Sequence, residues 1–499
     1  MLLTRAEATG FRETSLHADV MRFVAGLADL GDPRLHVTSF GVSPGGRELP
    51  LLVLSQGDVR TPAEARRAGR PVVLMLDGIH PGEVEGKEAS LALVRDLLGG
   101  KHPDWLDEVV LLVAPLFNPD GNDALDPANR RLDLKKLHGQ PGPLVGTRTQ
   151  SQGINLNRDY MRQAAPEMRM LQREVCIPWA PDLTIDNHAT NGSVHRFDMT
   201  IDVPHTTESG RAEPIAFMRE RLVPDVIAAV RRRGFESGWY GNFVEDERVL
   251  DADGEVDPSG EVGLGWMTYP HHPRFGSNYR GLTNRLDLLL ECYSYLPFER
   301  RVATASAWQI EALEWAAGHA ADIRAVVAAS AAPPRRVAVR YRLEAAERPV
   351  EVLTRSPRTL AGAPSAVTIP YFSRFVGTTV VDRPRAYLVS PAVAALLERH
   401  GLAVTPAEGS YEVEVARIAG LGAEDGRAIL EAARVGEVEV AWTQGRRAAP
   451  AGWSIVATEQ PLGAIAVYLC EPESDDGIVE NGAAEVPRVG DEHPAWRVR

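Results

Sequence analysis

The chain has 499 residues, of which 44% are hydrophobic and 24% are charged, a composition typical of globular proteins. Its net charge of -14 excludes the basic surface that nucleic-acid binding needs, and gives no reason to expect attachment to an anionic membrane. The three cysteines, Cys176, Cys292 and Cys470, lie far apart in apolar runs. They are expected to be small buried hydrophobic residues.

The N-terminal residues, Met-Leu-Leu-Thr-Arg-Ala-Glu-Ala, lack the apolar core of a signal peptide. No run of about 20 apolar residues occurs that would predict a membrane span. We therefore expect a cytoplasmic protein, or a secreted or periplasmic one if translation starts upstream of the given Met1.

Residues 1–332 alternate between helical and strand-like patterns. Leu16, Val20, Phe23 and Leu27 recur at helical spacing and predict the first helix. In chain order, helices are predicted at 15–30, 83–98, 166–175, 214–233 and 298–331, and strands at 48–55, 70–77, 109–117, 182–188 and 284–292. Near-continuous apolar strands that alternate with helices indicate an α/β fold whose sheet is covered by helices on both faces.

The sequence Ala-Ala-Pro-Pro-Arg-Arg at 331–336 predicts a domain boundary, since two prolines end the preceding helix. Beyond it, segments such as Arg-Val-Ala-Val-Arg-Tyr-Arg-Leu alternate with a period of two residues. We expect a catalytic domain over 1–332 and a smaller, mostly β domain over 333–499 with one short helix near 392–400. The second domain shows no cluster of catalytic residue types, and its role stays open.

Three residues of metal-ligand type follow the strand-like runs. His80 and Glu83 lie in Gly-Ile-His-Pro-Gly-Glu after the 70–77 run, and His188 ends the 182–188 run. Two histidines and one carboxylate commonly bind zinc and leave a coordination position open. Strand ends are the usual place for a site in an open α/β sheet. We therefore predict one Zn²⁺ per chain at these residues.

The spacing His-x-x-Glu is a weak signal by itself, and a second pair, His205 and Glu208, also follows a strand-like run. We favour the first pair because Gly78 and Gly82 allow the backbone around His80 to turn tightly.

Two further carboxylates lie near these predicted ligands. Glu291 follows three leucines in a predicted central strand, where an unpaired buried carboxylate is costly. It is expected either to act as a general base whose pKa is set by burial and the metal, or to form a salt bridge with Arg285. Asp186 should share a strand face with His188. It either fixes the tautomer of that histidine or caps a turn.

Asn157 and Arg158 follow a Gly-Ile-Asn-Leu turn. The planar fork of Arg suits a carboxylate, and the Asn amide adds a donor. Such a pair can recognise the free α-carboxylate of a peptide. The alternative is a structural Arg that bridges two loops.

Together these motifs resemble the zinc carboxypeptidases (M14 metallopeptidases). The resemblance rests, in the order of the family, on His80-x-x-Glu83, Asn118-Pro-Asp-Gly121, Asn157-Arg158, His188 and Glu291. The segment 146–160 resembles a bacterial branch whose members also have a β-rich C-terminal extension. The resemblance implies a zinc-carboxypeptidase-like mixed sheet covered by helices on both faces.

The resemblance also implies a metallocarboxypeptidase that hydrolyses C-terminal peptide bonds with a zinc-activated water. It assigns the roles as follows: His80, Glu83 and His188 as zinc ligands; Glu291 as general base and then general acid; Asn157 and Arg158 as holders of the terminal carboxylate; Arg148 or Arg130 as the residue that stabilises the oxyanion; and Tyr269, with Tyr279 as second choice, as the residue that closes over the substrate.

Asn155 departs from the family pattern, in which many members have Asp two residues before the Asn-Arg pair. That Asp accepts a hydrogen bond from the first histidine ligand. An Asn oxygen can accept the same bond without a negative charge. We expect zinc affinity or water activation to be modestly reduced.

Two other functions stay open. One is a small-molecule amide hydrolase of the aspartoacylase or desuccinylase type, in which Asn157 and Arg158 bind the carboxylate of an acylated amino acid. The other is an inactive protein that keeps the zinc pocket for binding. In either hydrolase the substrate is a peptide or acylated amino acid with a free carboxylate, and no nucleic-acid or membrane partner is expected.

Overall fold

The computed structural model describes residues 2–57, 59–190, 193–246, 263–355, 362–422, 437–484 and 487–499. The helices are α1 (Arg5–Ala8), α2 (His17–Ala28), α3 (Pro62–Ala68), α4 (Glu85–Leu98), α5 (Trp105–Glu108), α6 (Pro119–Asp123), α7 (Pro166–Met170), α8 (Ile177–Trp179), α9 (Ala212–Phe217), α10 (Val223–Arg232), α11 (Gly276–Leu282), α12 (Phe298–Gly318), α13 (Ala320–Ala329), α14 (Pro391–Arg399), α15 (Gly463–Cys470) and α16 (Ile478–Asn481).

The strands are β1 (Leu35–Val42), β2 (Glu48–Leu54), β3 (Val72–Leu76), β4 (Val110–Ala114), β5 (Leu183–Thr190), β6 (Met199–Asp202), β7 (Ser237–Trp239), β8 (Asn242–Asp246), β9 (Gly263–Met267), β10 (Leu286–Tyr293), β11 (Arg336–Ala345), β12 (Val350–Thr354), β13 (Ser365–Ile369), β14 (Tyr371–Asp382), β15 (Ala386–Val389), β16 (Thr405–Pro406), β17 (Ser410–Leu421), β18 (Val438–Ala448), β19 (Ser454–Ala457) and β20 (Ala495–Val498).

The main sheet has the order β1-β2-β4-β3-β5-β10-β6-β7. Its centre is parallel, from β4 through β3 and β5 to β10, and antiparallel pairs lie on either side. Alternate residues of one strand pack on opposite faces, so that Val73 faces α2, α4, α10 and α12 while Leu74 faces α7 and α11. The predicted mixed sheet with helices on both faces is therefore confirmed.

Several long helical predictions are divided in the structure. The 298–331 helix is interrupted at His319, which has φ -124° and separates α12 from α13. The 214–233 helix contains a π-helical turn at Met218–Leu222 between α9 and α10. Pro224, in the first turn of α10, has no N–H to continue the regular ladder. Apolar spacing alone predicted the extent of these segments but not their interruptions.

The C-terminal part is mostly β, as predicted. It contains a six-stranded sheet, β16-β19-β15-β20-β17-β18, and the β12-β13 hairpin. The predicted short helix near 392–400 corresponds to α14. The helix α15 was not predicted, because every residue of Gly-Ala-Ile-Ala-Val-Tyr-Leu-Cys is buried and the segment has no polar face.

A further sheet joins the two parts of the chain. Its order is β11-β14-β9-β8, so strands from before and after residue 332 share it. Tyr371 and Phe372 of β14 pair in parallel with Trp266 and Met267 of β9. The division into domains at 332/333 stays a prediction. Within the described ranges, no helix is both long and apolar enough to cross a membrane.

Candidate active site

The central strands of the main sheet bring the predicted site residues together. His80 and Glu83 lie in the turn between β3 and α4, His188 lies in β5, and Glu291 lies in β10. The parallel register pairs Glu291 directly with His188. Since β3, β5 and β10 are consecutive in the sheet, their carboxyl ends place all four side chains at one edge.

His80, Glu83 and His188 form a compact buried cluster. Nδ1 of His188 lies 3.1 Å from Oε2 of Glu83, and Nδ1 of His80 lies 3.3 Å from Oε1 of the same carboxylate. Ligand atoms of the three residues lie within 4.8 Å of one another. At most 5% of each residue is exposed. Two imidazoles and one carboxylate aimed at a common point are a donor set that fits Zn²⁺.

Asn155 fixes the tautomer of His80. The backbone N–H of Asn157 donates to Oδ1 of Asn155, so this atom is an acceptor. Nε2 of His80, 3.0 Å from the same Oδ1, must therefore carry the proton and donate. The lone pair of His80 is then on Nδ1, which faces Glu83. Burial and the charge of Arg148 lower the pKa of His80 to about 3, so the imidazole is neutral and able to bind a metal.

Asp186 lies behind His188. Its Oδ1 is 3.2 Å from Nε2 of His188, and its Oδ2 accepts a 2.8 Å hydrogen bond from Arg280. Although burial lowers the pKa of His188, Asp186 and Glu83 outweigh it and raise that pKa well above its ordinary value. Of the two roles considered for Asp186, the contacts favour orientation of His188.

Arg130 and Arg148 both reach Glu83 but differ in their surroundings. Arg130 donates to Oε1 of Glu83 at 2.9 Å, to the carbonyl of Ala189 at 3.2 Å and to Oγ of Ser294 at 2.9 Å. Its side chain is 14% exposed, whereas that of Arg148 is 45% exposed. Arg148 approaches through Nη1 alone, 3.4 Å from Oε1 of Glu83 and 3.2 Å from Nδ1 of His80.

Glycine permits the close approach of Arg130. A Cβ on Gly82 would lie 2.6 Å from Cδ of Arg130, so a larger residue would displace that side chain. Gly78 adopts φ +69° in the turn before His80, as a glycine there readily can. The backbone N–H of Asn118, from the Asn-Pro-Asp-Gly motif, donates to the carbonyl of Gly78 at 3.2 Å and supports that turn.

Glu291 is half-buried beside the cluster. Burial raises its pKa to about 7, and the negative charge of Glu83 adds to the effect, while His188 and Arg148 oppose it. Arg285, considered as a salt-bridge partner of Glu291, instead donates to Asp182 at 3.1 Å. A carboxyl with a raised pKa next to a metal-type cluster is suited to proton transfer near neutral pH.

Asn157 and Arg158 are held by the loop at 270–276. Oδ1 of Asn157 accepts from the backbone N–H of Gly276 at 2.8 Å. The guanidinium carbon of Arg158 lies 3.8 Å from the centre of the Phe275 ring, and Nη1 donates to the carbonyl of Asn157 at 2.7 Å. Stacking on an aromatic ring fixes the plane of a guanidinium. Neither of these contacts was predicted from the sequence.

The predicted tyrosines are engaged elsewhere. The hydroxyl of Tyr269 donates to the carbonyl of Val203 at 3.1 Å, and that of Tyr279 lies 2.8 Å from Nδ1 of His400. In the described part of the chain, no hydrogen bond or ion pair joins Tyr269 to His80, Glu83, His188 or Glu291.

Tyr240 lies near Glu291 and was not predicted from the sequence as a site residue. Its ring centre lies 6.1 Å from that of Tyr269. Burial and then the charge of Glu291 raise its pKa. No motif surrounds Tyr240, so its place near Glu291 follows only from the pairing of β6 with β10 and β7.

The second His-x-x-Glu pair does not form a comparable cluster. His205 lies 3.2 Å from Oγ1 of Thr268 and 3.6 Å from Asp202. Glu208 accepts from the backbone N–H of Gly377 at 3.4 Å. These contacts tie β6 and its following loop to the neighbouring sheet.

Comparison with protein families gives a match to the zinc carboxypeptidases (M14 peptidases) over residues 20–176. The matched segment contains His80, Glu83, Asn157 and Arg158, and ends before His188 and Glu291. No curated protein matches the chain. Over this segment the match agrees with the family resemblance seen in the motifs.

Solved structures with similarity to this chain include a metallo-carboxypeptidase from Burkholderia cenocepacia, with 18% identity, 60% of this chain and 68% of that chain covered, and a TM-score of 0.41. A metallo-carboxypeptidase from Pseudomonas aeruginosa, in complex with (2-guanidinoethylmercapto)succinic acid, has 18% identity, coverages of 62% and 69%, and a TM-score of 0.40. Carboxypeptidase A from Helicoverpa armigera has 14% identity, coverages of 62% and 75%, and a TM-score of 0.39.

Proposed function

We propose that this protein is a zinc carboxypeptidase that hydrolyses the C-terminal peptide bond of substrates with a free carboxylate. One observation carries the proposal: Glu291 is paired in register with His188 at the edge of the buried His80, Glu83 and His188 cluster. Metal-assisted hydrolysis of an amide requires residues that bind the metal and a proton acceptor next to them.

His80, Glu83 and His188 would hold one Zn²⁺ per chain. When bound there, zinc supplies Lewis acidity, which lowers the pKa of water at the site and polarises a carbonyl oxygen. The chain prepares the donor atoms in advance: Asn155 holds His80 as the Nε2–H tautomer, and Arg130 together with the backbone N–H of Ala189 holds the carboxylate of Glu83. Such supporting contacts reduce the reorganisation that metal binding requires.

Glu291 would take a proton from the attacking water on a carboxylate oxygen. The same carboxyl would then donate this proton to the nitrogen of the leaving amine, so Glu291 is again an ionised carboxylate at the end of the cycle. Burial keeps the Glu291 carboxylate more basic than an exposed one. This basicity makes both proton transfers feasible near neutral pH.

Arg148 is the better candidate for stabilising the oxyanion. Arg130 is nearly buried and committed to three acceptors, so its role is to fix Glu83. The half-exposed Arg148 approaches the cluster through one nitrogen and has freedom to turn toward a substrate oxygen. A guanidinium placed where negative charge develops lowers the barrier for acyl transfer.

Arg158 and Asn157 would bind the terminal carboxylate of the substrate. Phe275 fixes the plane of Arg158, and Gly276 occupies the amide oxygen of Asn157, which leaves its Nδ2 group as the side-chain donor. A bound carboxylate positions the last peptide bond relative to Glu291.

The test is mass spectrometry of a peptide mixture incubated with the zinc-loaded protein. Each peptide is supplied with a free and an amidated C-terminus, with and without a chelator. We expect stepwise loss of C-terminal residues from the free forms only, abolished by the chelator. Cleavage of amidated peptides would contradict the carboxylate requirement. No cleavage of any peptide would favour the small-molecule amide hydrolase.

A further inference from the structure

The loop at 270–276 is fastened to the C-terminal part of the chain by two buried polar contacts, a hydrogen bond and an ion pair. Nε2 of His271 lies 2.7 Å from Oδ2 of Asp475. The carboxylate of Asp476 accepts from the backbone N–H of Arg274 at 2.6 Å and lies 3.2 Å from Nε of the same residue. Arg274 also donates through Nη2 to the carbonyl of Asp475 at 3.0 Å. At most 8% of each of these side chains is exposed.

The two aspartates are themselves held firmly. The hydroxyl of Tyr468 in α15 donates to Oδ1 of Asp475 at 2.6 Å, and the backbone N–H of Asp475 donates to the carbonyl of Val339 in β11 at 2.9 Å. Asn481 in α16 donates to the carbonyl of Asp476 at 2.6 Å. Asp475 and Asp476 therefore present fixed carboxylates to the loop.

The other end of the same loop contacts the proposed carboxylate site. Phe275 supports the guanidinium of Arg158, and the N–H of Gly276 binds Oδ1 of Asn157. Arg274, Phe275 and Gly276 are consecutive, so a shift of Arg274 must move both contacts. Asp476 is therefore connected to Arg158 through its buried ion pair with Arg274 and through the ring of Phe275.

We propose that Asp475 and Asp476 are positioning residues for the substrate carboxylate, and that the C-terminal region is a working part of the active site. This inference rests on the proposed function, because it assigns Arg158 and Asn157 to a substrate carboxylate. Asp475 and Asp476 touch no substrate themselves. They fix the loop that orients the two residues which do.

A metal ion is the competing explanation for this contact. Ligand atoms of His271, His272 and Asp475 lie within 4.8 Å of one another. However, both oxygens of Asp475 already accept hydrogen bonds, from His271 and from Tyr468. Nδ1 of His272 is buried and has no hydrogen-bond partner among the described residues, but the hydrogen bonds to both oxygens of Asp475 favour the positioning role.

The test compares Asp476→Asn with a matched control, Glu471→Gln, in the full-length zinc-loaded protein. Both changes replace a buried carboxylate by its amide. Glu471 is 1% exposed, and its side chain pairs with Arg497 of β20. The measurements are kcat and KM on a peptide with a free C-terminus, and the inhibition constants of a free amino acid and of its amide. Metal content is measured for every sample.

For Asp476→Asn we expect KM to rise about tenfold or more while kcat changes by less than about threefold. The preference for the free amino acid over its amide should fall by a similar factor, and zinc content should not change. Glu471→Gln should leave all of these values near those of the unmodified protein. This split between KM and kcat would not arise from a general loss of folded protein.

A fall in kcat at constant KM, or equal effects in the control, would overturn the inference. So would the presence of a second metal ion per chain in the unmodified protein. If Asp476→Asn does not fold, the double variant Arg274→Met with Asp476→Leu takes its place under the same criteria, because it leaves no unpaired buried charge. Failure of the unmodified protein to cleave any peptide would instead count against the proposed function.

Discussion

Oδ1 of Asn155 accepts a hydrogen bond from Nε2 of His80 at 3.0 Å, so an uncharged amide supports the first proposed zinc ligand. Nδ2 of Asn155 is buried and has no hydrogen-bond partner among the described residues. An aspartate would fit the same place without that unsatisfied donor, and its charge would make the imidazole a stronger ligand.

We therefore expect Asn155→Asp to bind zinc roughly tenfold more tightly. Asn155→Ala should act in the opposite direction, because His80 would lose its acceptor. Zinc affinity is measured by competition with a chromogenic chelator at fixed pH. Equal affinities for Asn155→Asp, Asn155→Ala and the unmodified protein would show that Asn155 does not influence the metal site.

Glu291→Gln tests the proposed general base. The amide keeps the shape of the side chain but cannot accept the proton, so kcat should fall about a thousandfold. Zinc content should stay unchanged, since Glu291 is not among the proposed ligands. Glu167→Gln is the control, because it makes the same change at a buried carboxylate of α7. Near-normal turnover of Glu291→Gln would remove the residue from this role.

The clustering of His80, Glu83, His188 and Glu291 was predictable because each lies in or just after an apolar strand. Parallel strands that are adjacent in a sheet place their carboxyl ends side by side, so residues of metal-ligand type at these strand ends could be expected to form a common site. The register that pairs Glu291 with His188 was beyond the sequence, since it depends on how β5 and β10 are aligned by packing.

The link from the C-terminal region to the site was not predictable. Asp475 and Asp476 lie in Glu-Ser-Asp-Asp-Gly, a polar sequence typical of an exposed turn, yet both are buried. Asp476 meets Arg274 across 202 residues of chain, and no periodicity encodes such a contact. The contacts of Tyr269 with Val203 and of Tyr279 with His400 were likewise not predicted, and the role of either tyrosine at the substrate stays a prediction.

Arg158→Ala tests carboxylate recognition. Loss of a charge-assisted contact should lower kcat/KM on peptides with a free C-terminus roughly 10- to 100-fold. A free amino acid should lose affinity as an inhibitor more than its amide does. Arg169→Ala is a suitable control, since the guanidinium of Arg169 donates to the nearby carbonyls of Gln163 and Ala164. Equal loss of affinity for the amino acid and its amide would contradict the assignment of Arg158.

His400 predicts how stability depends on pH. Its Nε2 donates to the carbonyl of Met161 at 3.0 Å, and Nδ1 accepts from Tyr279 at 2.8 Å and from Nε2 of Gln163 at 3.1 Å, so the neutral ring satisfies all three partners. Burial lowers the pKa of His400 from 6.5 to about 4. Between these values the unfolded chain binds a proton that the folded chain does not, so the contribution of His400 to stability is present above pH 6.5 and lost as the pH falls toward 4.

The loss from this one residue amounts to about 3 kcal/mol over that range. We expect the urea midpoint to fall as the pH is lowered from 6.5 to 4, and to fall less steeply in His400→Gln, which cannot titrate. His319→Gln is the control, because this half-buried histidine lies between α12 and α13. Identical slopes for His400→Gln and the unmodified protein would show that His400 takes up its proton equally in the folded and unfolded states, and that its bond to Tyr279 does not hold the ring neutral.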